Sequence, residues 1–367
     1  MQSLDEMTSC RVALFLPTLA GGGAERVALA LTSALLDKGC GIDLLLVRKE
    51  GALLRLVPDQ VRVLELGGGR ILGSLLPLVR YLRREKPDAL HAFMWPLTVV
   101  AAVARRIARV PTRLVISDHT TLSEHASGGR ERQAMRLTIR RFYPWADSRV
   151  QVSRAAADDL AGFCGLERGS IEVVGNPLLV SAQVETSDEI EGWWDVPRGE
   201  RILSVGSLKE TKDHRALLRA FAGVPRPRAR LMIVGEGPMR DELQALADRL
   251  GIGERVIWTG FQLDPWPFYA SADLFVLSSR LEGQPVVLLE ALASGVPIVS
   301  TDCPSGPREV LDEGLYGTLV QVEDEGGLAA AIDGALSAPS MSGALRQRAR
   351  ELLERGSVQR HLQLLLD

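Results

Sequence analysis

Two glutamates eight residues apart, Glu282 and Glu290, are the first candidates for chemistry in this chain. Glu282 ends a short polar loop after the apolar run 273–279, and the sequence then predicts a helix from about Pro285 to Gly295. At about 1.5 Å of rise per residue, Glu290 lies roughly 7–8 Å along that helix. Two carboxylates so far apart do not easily serve one reacting atom. We expect them to hold two ends of one elongated, hydroxyl-rich ligand, with a phosphate at the helix N-terminus.

The segment SSRLEGQPVVLLEALASGVPIVST resembles the donor-binding signature of retaining GT-B glycosyltransferases of family 4. The resemblance implies that Glu282 contacts hydroxyls of the transferred sugar and that Glu290 contacts the ribose of the nucleotide. Gln284 stands where the family usually has Phe or Leu, and Val286 where many members have a polar residue. The turn between the two glutamates is implied to line the donor with its backbone: Gly283, Gln284, Pro285 and Val286.

Size and composition set the class of protein. The 367 residues are enough for two domains, and a hydrophobic fraction of 46% can fill two cores. The N-terminus has acidic residues without an apolar signal region, and the apolar stretches are shorter than a membrane span, which predicts a cytoplasmic protein. The cysteines lack a Cys-x-x-Cys pattern and partnered histidines, so we expect reduced thiols and no zinc site. They are Cys10, Cys40, Cys164 and Cys303.

Charge is divided unevenly along the chain. Residues 1–180 carry 24 Lys and Arg against 18 Asp and Glu, whereas the remainder is acidic. The excess is concentrated between Arg80 and Arg141, with 13 basic and five acidic residues. One interpretation is that these arginines lie on solvated faces of helices. The other is that they form a surface attracted to an anionic membrane or to a lipid-diphosphate acceptor. The second interpretation would place the protein peripherally on the inner face of the cell membrane. The acidic second half argues against nucleic acid as a partner.

Strand-like and helix-like segments alternate along the chain in two series. Apolar strands that alternate with helices predict an α/β fold with parallel sheets flanked by helices. We expect the GT-B architecture, with two Rossmann-like domains facing a central cleft. Residues 1–180 are predicted to form the acceptor-side domain, 181–199 a linker, and 200–345 the nucleotide-sugar-binding domain. The remaining segment, 346–367, is predicted to be a helix that can cross back to the first domain.

A glycine turn follows the first strand and precedes the first helix, in the place of a phosphate-binding turn. Its glycines, Gly21, Gly22 and Gly23, do not form a G-x-G-x-x-G pattern. Arg48 and Lys49 stand where a dinucleotide's ribose would need a carboxylate, so a dinucleotide cofactor is disfavoured. GGGAER is similar to a segment common in family 4, which implies that Gly22 and Gly23 approach the donor diphosphate or the acceptor.

The segment VGSLKETK resembles the family's V-G-R-L-x-x-x-K and begins the second series of strands. A diphosphate in a partly dehydrated cleft needs a cation together with oriented N–H donors. The resemblance assigns this cation to Lys212. Ser207 replaces the arginine that is common in the family and offers only a neutral hydrogen bond. Lys209, two residues further on, is the other candidate for the missing cation.

His119 follows a predicted strand of the first domain and resembles the histidine that family members aim at the transferred sugar. His91 is predicted to be structural. The segment DCPSGPRE, which contains Gly306, resembles the corresponding segment in a subgroup of the family that transfers N-acetylhexosamines and galactose-type sugars in surface glycan assembly. It gives an expectation about the sugar and none about the acceptor.

Together, the motifs indicate a retaining transferase that moves a hexose or N-acetylhexosamine from a nucleotide-diphospho-sugar, with UDP expected, to a glycan, lipid-linked or small-molecule acceptor. Catalytic roles are predicted for Glu282, His119 and Lys212. Because the relevant loops lack a D-x-D metal signature, we expect no metal and no other cofactor. Two alternatives remain open. One is a nucleotide-sugar epimerase with the same fold, and the other is a non-catalytic nucleotide-sugar-binding partner protein.

Overall fold

The computed structural model describes most of the chain, in the ranges 10–67, 70–125, 128–179, 185–339, 341–354 and 357–367. These residues divide into two compact units. The described residues up to 179 and from 357 onward form the first unit, and those from 185 to 354 form the second. Each unit contains one parallel β-sheet with helices packed on it.

The first unit is built on a seven-stranded sheet. In chain order its strands are β1 (Arg11–Leu16), β2 (Gly41–Leu46), β3 (Arg62–Glu65), β4 (Ala89–Phe93), β5 (Arg113–Asp118), β6 (Ser148–Gln151) and β7 (Glu172–Val173). Their order in space is β3-β2-β1-β4-β5-β6-β7, and all neighbours are parallel. The central strands are apolar and buried because helices cover both faces of such a sheet.

The helices of this unit follow the strands in alternation. In chain order they are α1 (Gly23–Asp37), α2 (Leu75–Glu85), α3 (Leu97–Ala108), α4 (Leu122–His125), α5 (Gly129–Phe142) and α6 (Arg154–Cys164). Strand residues such as Phe15 and Leu90 form one apolar core with helix residues such as Leu82 and Ile139. This core fixes the ends of the strands, from which His119 and the glycine turn emerge.

The second unit is built on a six-stranded parallel sheet. Its strands are β8 (Arg201–Val205), β9 (Arg230–Val234), β10 (Val256–Gly260), β11 (Leu274–Leu277), β12 (Ile298–Thr301) and β13 (Thr318–Val320). Their order in space is β10-β9-β8-β11-β12-β13. This order repeats that of the first six strands of the first unit, and it is the doubly wound arrangement of nucleotide-binding folds. The predicted fold class is confirmed.

Helices also flank the second sheet. They are α7 (Asp188–Trp194), α8 (His214–Gly223), α9 (Arg240–Arg249), α10 (Trp266–Ser271), α11 (Val286–Ser294), α12 (Pro307–Val310), α13 (Glu325–Ser337) and α14 (Ser342–Glu354). Leu217 and Phe221 of α8 pack with Leu231 and Ile233 of β9 in the core. The helix predicted to begin near Pro285 and to end at Gly295 is α11.

Part of the segment predicted as a linker, 181–199, is folded. Residues 188–194 form α7, where Trp194 is fully buried and its indole N–H donates to Ser271 Oγ at 2.9 Å. The acidic composition that suggested a linker lies mainly in the first turn of this helix, where negative charge is favourable. Residues 181–184 of the predicted linker lie outside the described residues.

The long helix predicted near the C-terminus is two helices, α14 and α15 (Ser357–Leu366). The structure groups α14 with the second unit and α15 with the first, so the predicted boundary at residue 345 is too early. Arg113 Nε donates to the Leu364 carbonyl at 2.6 Å, and Arg360 pairs with Glu172. These contacts hold α15 on the first sheet.

The prediction of four reduced thiols is wrong for Cys10 and Cys40, which form a disulfide. The first residue of β1 stands opposite the first residue of β2, so the residues just before them are also neighbours. Their Cα atoms are 4.8 Å apart, which a disulfide can bridge. Sequence spacing gave no sign of this register. Cys164 and Cys303 are free and buried, and burial raises the pKa of each to about 12.

Candidate active site

The second sheet contains a point where the direction of strand order reverses. β8 and β11 are neighbours there, while the next strands, β9 and β12, lie on opposite sides of them. Such a point leaves a crevice beyond the carboxyl ends of the two strands, and ligands of open α/β sheets bind in it. Lys212 lies in the loop after β8, and Glu282 lies in the loop after β11.

Lys212 and Glu282, separated by 70 residues, form an ion pair with 2.5 Å between Nζ and Oε1. Ser279 Oγ donates a second hydrogen bond to the same oxygen, at 2.6 Å. The Glu282 side chain is 9% exposed and that of Lys212 is 23% exposed. The site therefore carries two opposite charges that are in contact and largely shielded from water.

Hydrogen bonds between the two loops place this pair. Ser278 Oγ donates to the Lys212 carbonyl at 2.9 Å. The backbone N–H of Arg280 donates to the Thr211 carbonyl at 2.9 Å, and its Nε donates to Asp213 Oδ2 at 2.5 Å. Because backbone and neighbouring side chains hold the loops together, the two charges are positioned by more than their own attraction.

Glycines allow the loops after β8 and β9 to stack. A Cβ on Gly235 would lie 1.9 Å from the Gly206 carbonyl oxygen, and one on Gly237 would lie 2.4 Å from that of Leu208. Gly235 also has a φ of +154°, which side chains rarely adopt. The stem of Lys212 passes beside Gly206, with Cδ 3.9 Å from an ideal Cβ there. The glycines thus permit the backbone packing beneath the lysine.

Ser207 and Lys209 lie in the same loop as Lys212. The Ser207 carbonyl accepts a hydrogen bond from the Lys209 N–H at 2.9 Å. The Lys209 side chain is exposed and has no ion-pair partner in the described part of the chain. Of the two lysines, Lys212 is the one in contact with another predicted site residue. Their roles at a phosphate remain predictions.

The turn before α11 presents backbone groups beside the pair. Pro285 is the N-cap, and its side chain makes no capping hydrogen bond. The first turn of any helix has N–H groups without intrahelical acceptors, together with a partial positive charge. Gly283, Pro285 and Val286 are buried, and Gln284 is partly exposed.

The loop after β12 packs onto this turn. Gly306 has a φ of +84°, and a Cβ there would lie 2.4 Å from the Gly283 carbonyl oxygen and 2.8 Å from Pro285 Cδ. Ser305 Oγ donates to the Glu282 carbonyl at 2.5 Å. The resemblance pointed to Gly306, whereas Ser305 was missed because nothing in its spacing marks it. Ser279 was also missed, although it is the second residue of the quoted segment.

Glu290 has different partners from Glu282. It is 4% exposed, and its Oε2 accepts a hydrogen bond from the Tyr269 hydroxyl at 2.8 Å. The same hydroxyl is 3.2 Å from the Val287 carbonyl. Tyr269 lies on α10, a short helix that sequence reasoning did not predict. The two carboxylates thus occupy separate hydrogen-bonding environments, and their assignment to two ends of a donor remains a prediction.

In the first unit, His119 follows β5, and the residue is partly exposed although its ring Nδ1 is buried. Its Nε2 is 3.2 Å from Ser117 Oγ, which is 3.0 Å from Nε2 of buried His91. The His119 ring also stacks on Phe93 with 5.6 Å between centroids. Ser117 has one hydroxyl proton, so when it donates to one imidazole it accepts from the other. His91, predicted to be structural, therefore influences the tautomer of His119.

A third histidine of the first unit, His361, is carried by α15. Its ring centroid is 5.7 Å from that of His91. Burial lowers the pKa of His119 to about 4 and that of His361 to about 3, and it lowers the pKa of His91 well below its usual value. The three imidazoles are therefore neutral near pH 7. Sequence reasoning missed His361 because only the packing of α15 brings it to this sheet.

The glycine turn lies at the start of α1. Gly21 has a φ of +119°, Gly22 is the N-cap and Gly23 is the first helical residue. A Cβ on Gly22 would lie 2.4 Å from Glu25 Oε2. Glu25 is 8% exposed and is the third residue of the helix, a position from which a glutamate reaches back to the N-cap. A carboxylate of the protein thus lies where an anion was predicted.

Comparison with known proteins shows the family. Residues 21–178 match Glycosyltransferase Family 4, and residues 195–352 match Glycosyl transferases group 1. Over 351 residues, the chain is 30% identical to the lipopolysaccharide core biosynthesis glycosyltransferase LpsE of Rhizobium meliloti, covering 90% of this chain and 91% of that protein. The chain belongs to glycosyltransferase family 4.

This glycosyltransferase has further relatives of similar length. It is 29% identical over 331 residues to the N-acetylgalactosamine-N,N'-diacetylbacillosaminyl-diphospho-undecaprenol 4-alpha-N-acetylgalactosaminyltransferase of Campylobacter jejuni, covering 86% of this chain and 87% of that protein. The structure of Anabaena Alr3699/HepE in complex with UDP and glucose matches with a TM-score of 0.81 at 22% identity, covering 96% of this chain and 98% of that chain. WaaG, a glycosyltransferase involved in lipopolysaccharide biosynthesis, matches with a TM-score of 0.72 at 18% identity, covering 97% and 99%. These likenesses support the GT-B fold.

The predicted site residues of the glycosyltransferase fall into two sets. Lys212, Glu282 and Glu290 lie in the second unit, around β8, β11 and α11. His119 and the glycine turn lie in the first unit. Within the described ranges, no helix combines the length and apolar character that crossing a bilayer requires.

Proposed function

We propose that this glycosyltransferase moves a hexose or N-acetylhexosamine from a UDP-sugar to its acceptor with retention of anomeric configuration. The contact between Lys212 and Glu282, beside the N-terminus of α11, carries the proposal. A sugar diphosphate needs a cation and N–H donors at its phosphates, and a hydrogen-bond acceptor at its sugar hydroxyls. This end of the second sheet supplies all of them. The likeness to a structure with bound UDP and glucose supports the same donor class.

The chemistry follows from the two charges. In our proposal Lys212 contacts the departing phosphate, while Glu282 accepts hydrogen bonds from sugar hydroxyls. The bond between the anomeric carbon and the diphosphate oxygen breaks, and its electron pair moves to that oxygen. The acceptor hydroxyl forms the new bond on the same face of the sugar and passes its proton to the departing diphosphate. Lys212 and the N–H groups of α11 stabilise the negative charge that develops.

Glu290 is proposed to hold the other end of the donor. Glu290 is buried and accepts the Tyr269 hydroxyl, and a carboxylate can accept several hydrogen bonds, which suits the two hydroxyls of a ribose. Tyr269 fixes the carboxylate before the donor arrives, so less order has to be created on binding. This role affects donor affinity more than the chemical step, because the ribose does not change during transfer.

The first unit is proposed to bind the acceptor. His119 is neutral and partly exposed, so it can hydrogen-bond a sugar without adding charge. The Glu25 carboxylate at the N-terminus of α1 would repel a diphosphate. We therefore place an acceptor hydroxyl, and not the donor phosphates, beside Gly22 and Gly23.

The acceptor is proposed to be a glycan or a lipid-linked saccharide of surface glycan assembly. The relatives support this class, because one is named for lipopolysaccharide core biosynthesis and another for a diphospho-undecaprenol-linked substrate. The basic excess between Arg80 and Arg141 supports peripheral attachment to the cytoplasmic face of an anionic membrane. Replacement of Arg136, Arg140 and Arg141 by Ser is then expected to weaken co-sedimentation with anionic vesicles at low salt. Equal binding of the unaltered protein to neutral and anionic vesicles contradicts attachment by charge.

A panel of nucleotide sugars tests the proposed reaction. The purified protein is incubated with UDP-glucose, UDP-galactose, UDP-N-acetylglucosamine, UDP-N-acetylgalactosamine and GDP-mannose, and the products are separated. Slow release of UDP from one donor, with the sugar appearing as its α-anomer, is the expected result. Interconversion of sugars without UDP release indicates the epimerase instead. Binding without either reaction indicates a non-catalytic partner protein.

The same assay tests the proposal that no metal takes part. The basis is the lack of a D-x-D signature in the relevant loops and the presence of Lys212 as the phosphate cation. We expect EDTA to leave the rate of UDP release within about twofold. A loss of rate that Mg²⁺ or Mn²⁺ restores contradicts the proposal.

A further inference from the structure

Arg83 and three arginines near the end of α3 converge on one edge of the first unit. They surround a hollow of about 1190 Å³. Arg83 comes from the end of α2, and the other arginines come from the end of α3 and the residue after it. The polar and aromatic lining of the hollow is Arg83, Arg105, Arg106, Arg109 and Trp145.

The hollow lies at the edge of the sheet where the strands begin. It is formed by the connections from α2 to β4, from α3 to β5 and from α5 to β6. His119 lies at the opposite edge, beyond the end of β5. The six residues of β5 separate the two edges by about 20 Å. The hollow is therefore remote from the residues proposed to bind the acceptor.

The hollow has an excess of positive charge. Arg105 pairs with Asp147 at 3.1 Å, and Arg83 donates to a main-chain carbonyl of α3 at 2.9 Å. Arg106 and Arg109 are exposed and have no ion-pair partner among the residues that the structure describes. The ends of α2 and α3 each contribute about half a negative charge. With Asp147, they do not neutralise four guanidinium groups.

Trp145 gives the hollow an aromatic wall. The guanidinium carbon of Arg141 is 4.7 Å from the ring centroid, and that of Arg106 is 5.8 Å from it. Such contacts favour few side-chain positions while leaving guanidinium N–H groups available for an anion. Ile107, which is 42% exposed, adds an apolar surface beside them. The hollow therefore offers both forked donors and an apolar wall.

We propose that this hollow binds a phosphate group attached to a less polar moiety, with the phosphate at Arg106 and Arg109 and the moiety against Trp145 and Ile107. Several guanidinium groups around one space suit a phosphate, which presents more acceptor oxygens than a carboxylate. A phospholipid headgroup and a soluble phosphorylated compound share this chemistry. The inference goes beyond the proposed transfer reaction, because the hollow lies at the opposite edge of the sheet from His119. Its lipid form deepens the proposed membrane attachment and rests on it, because these arginines belong to the basic stretch from Arg80 to Arg141.

Calorimetric titration of the full chain with inorganic diphosphate tests the site. We expect two binding events. Lys212→Met removes the donor-site event, and the double variant Arg106→Ser/Arg109→Asn weakens the other at least tenfold. Asn is used because Arg109 has a φ of +56°, which Asn tolerates. The matched control Arg136→Ser/Arg140→Ser removes the same charge from α5, and we expect it to change the affinity for diphosphate by less than twofold.

Vesicle sedimentation identifies the source of the phosphate. Binding to phosphatidylglycerol vesicles that falls more in the Arg106/Arg109 variant than in the α5 control, whose own loss reflects general attraction of charge, assigns the hollow to a lipid headgroup. Diphosphate binding without specific vesicle binding assigns it to a soluble ligand. Equal losses of diphosphate affinity in the hollow variant and the α5 control overturn the proposal, as does a single diphosphate event abolished by Lys212→Met. UDP release is expected to be unchanged in the hollow variant, so failure of this site and failure of the proposed reaction remain distinguishable.

Discussion

In the second unit, the predicted site residues after β8 and β11 are charged and in contact, whereas the histidines near the end of β5 in the first unit are neutral. Lys212 and Glu282 form the charged pair at the end of β8 and β11. His119 and His91 share the Ser117 hydroxyl near the end of the first sheet. The two sheets have the same order in their first six strands, so the fold alone does not account for this difference.

In the proposed reaction, this difference assigns the charged donor to the second unit and the acceptor to the first. A charged pair can respond to a charged donor, because each member can exchange its partner for a phosphate or a sugar hydroxyl. Neutral imidazoles can orient a hydroxyl group without attracting the diphosphate. We therefore expect substitutions of site residues in the second unit to lower activity far more than those in the first.

Replacement of Lys212 by Ala is expected to have the largest effect. One charge-assisted contact to a developing anion is worth roughly 3–4 kcal/mol, so turnover falls by about two orders of magnitude or more. Steady-state kinetics with the preferred donor measures the loss. Lys209→Ala is the control, because this exposed lysine lies in the same loop, and we expect a change below about threefold. A larger loss in the control reassigns the phosphate contact.

Stability must be separated from catalysis in this variant, since Lys212→Ala leaves the buried Glu282 without its ionic partner. An unpaired buried charge is strongly destabilising. The double variant Lys212→Ala/Glu282→Gln is therefore expected to regain thermal stability without regaining activity. Recovery of both would show that the pair is structural.

The two glutamates are expected to differ in which kinetic parameter they change. Hydrogen bonds to charged groups contribute about 1.5–3 kcal/mol, so Glu282→Gln lowers kcat by roughly tenfold to a hundredfold. Glu290→Gln instead raises the donor KM about tenfold with little change in kcat, because ribose contacts are similar in the ground and transition states. Tyr269→Phe keeps the Glu290 carboxylate and is expected to give a weaker form of the same KM effect. The reverse pattern would exchange the two assignments.

His119→Ala is expected to cost about threefold to tenfold in kcat/KM for the acceptor, because neutral hydrogen bonds contribute about 0.5–1.5 kcal/mol. Acceptor-dependent kinetics measures this change, with UDP release in the absence of acceptor as the control. Ser117→Ala leaves the His119 imidazole in place and is expected to lower kcat/KM for the acceptor by less. A hundredfold loss of kcat/KM for His119→Ala would contradict the expectation that site residues of the first unit contribute less to activity than those of the second.

The smallest expected effect comes from the buried histidines, which influence how the free energy of unfolding depends on pH. His119 and His361 have folded pKa values of about 4 and about 3, below the unfolded value of about 6.5. Protons therefore bind preferentially to the unfolded chain below pH 6.5, and the free energy of unfolding falls as the pH decreases from 6.5 toward 4. Burial raises the pKa of Asp118 to about 6, which acts in the opposite direction. Since His91 adds to the first effect, we expect the histidines to dominate.

Urea unfolding at pH 7.5 and pH 5.0 measures this dependence. The variant His361→Leu removes one of the buried imidazoles and is expected to reduce the loss of stability between the two pH values. His214→Leu is the counterpart in the second unit, where burial also lowers the histidine pKa to about 4. An unchanged pH dependence in both variants would show that other groups control acid stability.

Much of the fold could be predicted because its signals are local. Buried parallel strands appear as apolar runs such as residues 11–16, and α11 has a proline near its start and Gly295 after its end. The strands β7 and β13 give little local signal of this kind, because they are short and lie at the edges of the sheets, where less apolar sequence is required. The helix α7 was missed because its acidic first turn resembles a polar linker.

The sequence by itself determined the family, the two-sheet architecture and the candidates Lys212, Glu282 and Glu290, because each depends on residue type and on spacing within one segment. Tertiary structure alone decided that Lys212 contacts Glu282 and that His361 lies beside His91. It also decided the disulfide, which depends on strand register, and the arginine-lined hollow, which depends on three separate connections. Contacts between distant segments follow from how the elements pack, and local patterns do not contain that information.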